Sequence, residues 1–398
     1  MTPLLRSLFL SALLWAAFFG PARAQTPRPY TASFVGTLGR DTVLVETYTV
    51  LDNHLYGKAF IRVPEDYIGV FSIHFYPDGS IREFNVMAMN PVNSSLPFEA
   101  KSGSFPYRLN MNCKNDTCTF YNALKARNKE IPVSHKARSM NFVGGWVPII
   151  SLMEWNCVRL ARSGQQRLPL KMINSQLGVF DIGVQYSNPE TILFGGPFLE
   201  YTKINVNADG QITSTDGTGT PWNYWVAKHE PIDIDLVAKR MVRNPPIGNP
   251  SPPETIRANI HSSTIEVQYG RPFKRGRTIF GGIVPMDSVW RTGAGQATTI
   301  ILSADITIQN TIIPKGPYSL YTIPGQNEWT LIFNTDLTTW PTNPDRSKDL
   351  AQLNIPVEKS ARVIEQFTID VQETKKGGRI RFSWDDRTAF ADFELTNK

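Results

Sequence analysis

Cysteine is scarce in this chain and no catalytic string can be recognised in it, and those shortages exclude whole classes of chemistry. Three cysteines, all in the first half, cannot build a dense disulfide framework or a four-thiolate metal site. There is no Gly-x-Ser-x-Gly elbow, no His-Glu-x-x-His helix and no Walker or dinucleotide glycine loop. The five histidines, His54, His74, His135, His229 and His261, are far apart in sequence, so none forms a local metal-ligand pair, and no metal or cofactor is expected. A site assembled in space stays open, because triads are defined by geometry rather than by order. Strong charge of one sign is lacking too. The formal net charge is +6, and the basic residues are scattered except for Lys274-Arg275 with Arg277. The footprint of a nucleic-acid binder is therefore missing.

Long apolar runs are equally scarce. The longest, Leu8 to Phe19 after Arg6, falls short of the roughly 20 residues that span a bilayer. With Ala22-Arg23-Ala24 behind it, it reads as a secretory signal peptide cleaved after Ala24, which places the chain outside the cytoplasm or in the periplasm. Cleavage removes Arg6 and Arg23 and lowers the net charge to +4. No transmembrane segment is expected in what remains. In an oxidising compartment Cys113 and Cys118, either side of a polar turn, are placed to form a disulfide worth about 2 kcal/mol for so small a loop. The same spacing would suit half of a metal site, but no second pair exists.

Val, Ile, Thr, Tyr, Phe and Trp together with frequent Gly and Pro favour β structure. Five prolines between Pro245 and Pro253 mark an extended spacer that divides residues 25–244 from 254–398. In the first part, β-rich runs alternate with turns at Asp52-Asn53, Pro77 to Ser80 and Asn207 to Gly210, which implies consecutive hairpins. One helix is predicted over Val147–Arg162, with Ser151, Glu154, Arg159 and Arg162 on its polar side. Ile149, Leu152, Met153, Cys157 and Leu160 form the apolar side, so Cys157 should be a buried free thiol. The stripe must be covered, so the helix is expected across the concave face of the sheet. The shape is similar to the half-barrels of bacterial envelope lipid carriers, an analogy with no motif behind it. Residues 254–398 read as eight short strands, and so as a β-sandwich or jelly roll. The fold class is mainly β: a curved antiparallel sheet or half-barrel with one packed helix, linked to a C-terminal sandwich.

The second part also carries an unusual string. Tyr269 and Arg271-Pro272 are followed by Gly276-Arg277, Ile279-Phe280-Gly281 and Val284-Pro285, then by Trp290-Arg291-Thr292-Gly293-Ala294 and Ala297-Thr298. The pattern continues through Ile313-Pro314, Tyr318-Ser319-Leu320, Ile323-Pro324, Trp329 and Ile332-Phe333. On these residues the region 250–398 resembles the bacterial family known as domain of unknown function 2911. The resemblance does not extend into 25–245. It implies a secreted or envelope β-domain and no known reaction. Members usually carry Asn and Glu after the Trp-Arg-Thr-Gly-Ala run, where this chain has Gly295 and Gln296. The loop lacks an acidic side chain, which counts against a catalytic or metal role.

Arg271, Arg277, Trp290 and Arg291 are the candidate ligand-binding residues: guanidinium groups can grip an anion while the indole stacks on a ring. The alternative is that they brace long loops over the core. Asn205, Asn207, Asp209 and Asp216 fall at calcium-loop offsets with Gly210 at the sixth position, but a hairpin turn accounts for them more simply. Asp233 and Asp235 alternate along a possible strand as solvated carboxylates. Trp222, Tyr224 and Trp225 are either an aromatic platform for sugars or a buried plug. The expected function is that of a non-enzymatic envelope protein binding a small molecule, a glycan or another envelope protein. Two alternatives are a secreted hydrolase with its site between the domains and a carrier of an apolar ligand in the first domain.

Overall fold

A computed structural model of the chain describes residues 30–98, 108–114, 117–122, 127–132, 142–143, 150–173, 179–196, 199–217, 225–337 and 344–396. The signal-peptide reading at residues 1–24, His135, residues 147–149 of the expected helix, and Trp222 and Tyr224 lie outside the described residues. Strands dominate, in two large antiparallel sheets with two helices among the described residues.

The first sheet is a meander of β1 (Tyr30–Leu38), β2 (Asp41–Leu51), β3 (His54–Ile61), β4 (Tyr67–Phe75), β5 (Ile81–Met89), β6 (Arg108–Lys114), β7 (Thr117–Asn122) and β8 (Arg127–Pro132). It continues through β9 (Phe142–Val143), helix α1 (Ile150–Ser163), β10 (Arg167–Ile173), β11 (Val179–Asn188), β12 (Thr191–Gly196), β13 (Leu199–Val206), β14 (Ile212–Asp216) and β15 (Trp225–His229). β1 pairs with both β2 and β15, so the two runs of strands join in the middle, with β8 and β9 as edges and no barrel closure. Every pairing is antiparallel except β9 with β10. The hairpin turns expected at Asp52-Asn53, Pro77 to Ser80 and Asn207 to Gly210 are where the strands reverse.

Helix α1 lies in the hollow of this sheet, and a single core cluster joins its side chains to residues of strands from β1 to β15. The expected division into polar and apolar sides is overturned over Ile150–Val158, while Arg162 in the last turn is exposed as expected. Ile150 through Val158 are all buried, as is Leu160, so Ser151 and Glu154 point into protein rather than water. A helix whose first turns are enclosed on every side must bury its polar residues there as well. Arg159 is also committed: it donates to the Asp78 carbonyl at the β4–β5 turn (2.6 Å) and to Asn156 Oδ1. Cys157 is a buried free thiol, as expected.

A second helix, α2 (Ile234–Met241), stands where Asp233 and Asp235 suggested a strand. Asp233 is its N-cap and accepts from the Leu236 N–H at 3.0 Å. Asp235 sits in the first turn and pairs with Lys58 at 2.5 Å. Ile234 and Ala238 cover Val45, Phe60 and Ile68 on the outer face of the sheet. This explains why β2 is buried on both faces over Val43–Glu46.

Arg62 holds the start of the spacer by donating to the Pro245 carbonyl at 2.8 Å, and Ile247 packs on the first core. Pro253, expected to close the spacer, opens a strand. The second sheet comprises β16 (Pro253–Ile260), β17 (Ser263–Gly270), β18 (Thr298–Leu302), β19 (Ile306–Ile308), β20 (Thr311–Ile313), β21 (Gly316–Pro324), β22 (Glu328–Asn334), β23 (Asp349–Glu373) and β24 (Gly377–Leu395). In place of eight short strands there are nine, two of them long: β23 has 25 residues and β24 has 19. β23 pairs with β22 over Asp349–Pro356 and with β24 from Val357 onward, and the second pairing is broken in register between Lys359 and Thr368. The sheet folds over at these breaks. Tyr269 at the end of β17 accepts from the Ile369 N–H at 3.0 Å, although β17 and β23 are not neighbours in the strand order. One apolar core fills the space between the two halves.

Candidate functional site

Titratable groups converge most tightly beneath helix α1. Glu154, fully buried, takes the Tyr30 hydroxyl on Oε1 at 2.8 Å and the Tyr48 hydroxyl on the same oxygen, while Oε2 accepts the Ile212 N–H at 2.7 Å. Burial pushes this carboxyl above its ordinary value, against the opposing pull of the phenols and of Lys228. Burial likewise raises Tyr48, Tyr30 and the neighbouring Cys157 thiol. A second buried carboxylate, Glu46, accepts the Ser151 N–H at 2.8 Å and the Ile150 N–H at 3.4 Å, and so caps a helix start that no water reaches. Both acids are structural partners of the helix backbone or of the sheet. The cluster could hold a proton, and none of its side chains lines the groove described next.

An open groove lies at one end of the same sheet. It has a volume of about 780 Å³ and runs between the β11–β12 and β13–β14 turns. Tyr186 and the buried Val206 form its floor, and Gln166, Asn188, Glu190 and Thr213 stand along its sides. Two bonds fix the turns in place: the Val206 N–H donates to the Glu190 carbonyl at 2.9 Å, and Asn207 Oδ1 accepts from Gln211 N at 2.9 Å. Gly210, at φ +78°, lets the second turn approach the helix, since a Cβ there would meet the Cys157 carbonyl oxygen at 2.7 Å. Of the oxygens at calcium offsets, Asn207 Oδ1 is spent on this turn, where it accepts from the Asp209 and Gln211 N–H groups, and among the described residues no three His, Cys, Asp or Glu side chains gather as metal ligands.

The histidines are less dispersed than the sequence suggests. His54 and His74 are direct cross-strand partners with stacked rings 4.0 Å apart, and His54 Nε2 bonds Ser72 Oγ at 2.8 Å. Burial first, and then His74, lowers the pKa of His54. Cys113 and Cys118 face each other across the β6–β7 hairpin and are joined by a disulfide. Trp225 is 52% exposed on the outer face of β15.

The residues singled out in the second region form a latch. Arg271 donates to the Phe367 carbonyl (3.2 Å) and Thr368 Oγ1 (2.9 Å), and pairs with Glu254 at 2.7 Å. Arg277 donates to the carbonyls of Phe273 and Lys274, and burial together with the Arg275 guanidinium pulls it down to about 10. Trp290 is buried among Trp329, Phe367 and Trp384, with its main chain bonded both ways to Thr322. Arg291 follows it in a loop closed by Thr298 Oγ1, which donates to the Thr292 carbonyl at 2.6 Å. Phe367 is a common partner, taking Arg271 on its carbonyl and Trp290 on its ring. The string thus ties two long loops to the far half of β23.

The match to known proteins follows this latch. Residues 251–392 match the family model described as protein of unknown function, DUF2911. The family match covers the C-terminal part alone. No curated protein matches the chain. Among solved structures, the chain is similar to a DUF1089 family protein from Pseudomonas aeruginosa at 12% identity and a TM-score of 0.29, covering 44% of this chain and 89% of that one. At that score the likeness carries no argument. The string inside the matched residues makes fold-closing contacts, and the open groove belongs to the part of the chain outside the match.

Sequence reasoning missed Glu46, Glu154 and the groove. One signal was present: in β2 Glu46 shares its parity with Leu44, Tyr48 and Val50, which makes it an inward-facing charge. Glu154 gave none, because a helix with polar residues on one side looks like any surface helix.

Proposed function

We propose that the chain is an exported envelope protein that binds a small polar ligand in the groove between the β11–β12 and β13–β14 turns and performs no chemistry on it. The observation that carries this reading is the fate of Glu154. Perturbed titratable groups that open on a cleft would favour a hydrolase. Here each carboxylate oxygen already accepts from a protein donor in the core, whereas the groove stands open. Export is supported by the N-terminal sequence and by the Cys113–Cys118 disulfide. No helix among the described residues is long and apolar enough to cross a membrane. The apolar-carrier reading is disfavoured because helix α1, with ten buried residues, occupies the hollow such a cargo would need.

The test is a thermal-shift screen of the whole chain against polar small molecules, beside the variant Ala208→Trp, which fills the groove from an exposed turn position. A true ligand raises the midpoint by mass action. The expected result is a shift in the parent chain and none in the variant, with equal midpoints in the absence of ligand. A ligand that is turned over, or a shift that survives in Ala208→Trp, overturns the reading.

A further inference from the structure

The chemistry of the groove narrows its ligand. We infer that the groove takes an uncharged glycan, an inference that rests on the binding reading above and names its ligand class. Of the residues that line the groove, Glu190 is the one that carries charge. An anionic ligand would meet a carboxylate with no cation in the lining to offset it, and like charges in contact are a strong bar to the wrong ligand. An apolar ligand is equally poorly served, because Gln166, Asn188, Glu190 and Thr213 would lose water without gaining a partner. Sugars offer the complement. Their hydroxyls both donate and accept, which matches amides, a hydroxyl and a carboxylate. Their C–H faces pack on an aromatic ring, and Tyr186 supplies one on the floor, half-buried and supported by the first core. A volume of about 780 Å³ is in the range of small-ligand sites. The side walls are ordered by the chain's own hydrogen bonds rather than by the ligand: the Tyr186 N–H donates to the Gln166 carbonyl at 3.0 Å and the Glu190 N–H to Asn188 Oδ1 at 3.0 Å. Asn188 and Glu190 both stand at exposed positions.

The experiment is calorimetric titration of the whole chain with three trisaccharides of similar size: maltotriose, triacetylchitotriose and trigalacturonate. Either uncharged sugar should bind at least tenfold more tightly than trigalacturonate. Tyr186→Ala should lower that affinity at least tenfold, and Glu190→Gln should narrow the gap between uncharged and anionic sugars. Tyr186 touches the core, so Gln166→Ala, at an exposed position, provides a second variant, with an expected loss of about threefold to tenfold from one hydrogen bond. Equal or tighter binding of trigalacturonate, no saturable binding of either uncharged sugar, or unchanged affinity in both variants overturns the glycan assignment. If sugars fail while another polar molecule shifts the parent chain and not Ala208→Trp, the glycan inference falls and the binding reading stands.

Discussion

The two β regions solve one problem in opposite ways. A large sheet has an apolar face that must be covered. The first region covers the inner face with helix α1 and part of the outer face with α2, whereas the second folds a single sheet over itself at β23. The consequence shows in which polar groups are buried. A helix that begins inside a core brings N–H groups with no partner in its own first turn, and Glu46 is there to accept them. Sheet against sheet creates no such orphans, because the ladders satisfy their own backbone. The buried polar residues of the second region are accordingly Thr, Ser and Asn, apart from Asp336, which is paired with Lys348 at 2.5 Å. Its centre is instead an aromatic cluster of Trp290, Trp329, Phe367 and Trp384. Carboxylates that accept backbone N–H groups in the core mark the helix-filled region, and packed rings the folded sheet.

The sharpest way to break this comparison is to remove a ring. Trp290→Ala should destabilise the second region by about 3–5 kcal/mol, the usual cost of emptying a buried aromatic site. In calorimetry the transition belonging to that region should move down while the other stays. Were both transitions to fall together, the two cores would be one cooperative unit. The corresponding change in the first region is Glu154→Gln. An amide places an NH2 group against a donor, either a phenol or the Ile212 N–H, at a cost of about 1–3 kcal/mol. Its pH dependence sharpens the point. Burial raises the folded carboxyl above 4.5, so the folded state holds its proton to a higher pH than the unfolded chain does. That contribution is fully present below the unfolded pKa and is lost as pH rises through the folded pKa. The parent's stability advantage over Glu154→Gln should therefore shrink from acidic towards neutral pH. Denaturant midpoints across that range check it, and a gap that is flat or widens with pH contradicts the assignment.

Legibility followed the length scale of each interaction. Hairpins at Asp52-Asn53 and Asn207 to Gly210 could be read because turn chemistry is local, and the DUF2911 string because loop closure demands particular residues. Helix α2 was misread although its signals were present: Asp233 at the N-cap, Ile234 and Ala238 one turn apart, and Lys239 with Arg240 in the last turn. Its eight residues were too short for periodicity to outweigh the alternation of Asp and Ile. Glu154 and the groove are products of enclosure and of the meeting of two distant turns. No window of sequence contains either one. For Arg271 nothing local reveals that Phe367 and Thr368 are its partners, whereas those of Arg277, the carbonyls of Phe273 and Lys274, lie within four residues of it.

The smallest expected effect concerns the seam between the regions, and it decides how far the comparison holds in the intact chain. Arg275, at φ 50°, offers its carbonyl to the Arg40 N–H at 3.2 Å, while its guanidinium pairs with Asp41 at 2.7 Å and donates to the Ile247 carbonyl at 3.2 Å. The tip of the β1–β2 hairpin thus docks on the DUF2911 loop beside Arg277. Gly39 makes the approach possible, since a Cβ there would meet the Arg275 carbonyl oxygen at 2.1 Å. Side chains that keep 15% and 30% of their exposure are partly screened, so the ion pair should contribute about 0.5–1 kcal/mol. Arg275→Ala should leave each region folded and draw the two calorimetric transitions further apart by that small amount. Arg275→Lys should recover part of the coupling, because it keeps the charge and loses the forked geometry that reaches Asp41 and Ile247 together. Identical thermograms for the parent and Arg275→Ala would mean that the seam transmits nothing, leaving two independent cores on one chain.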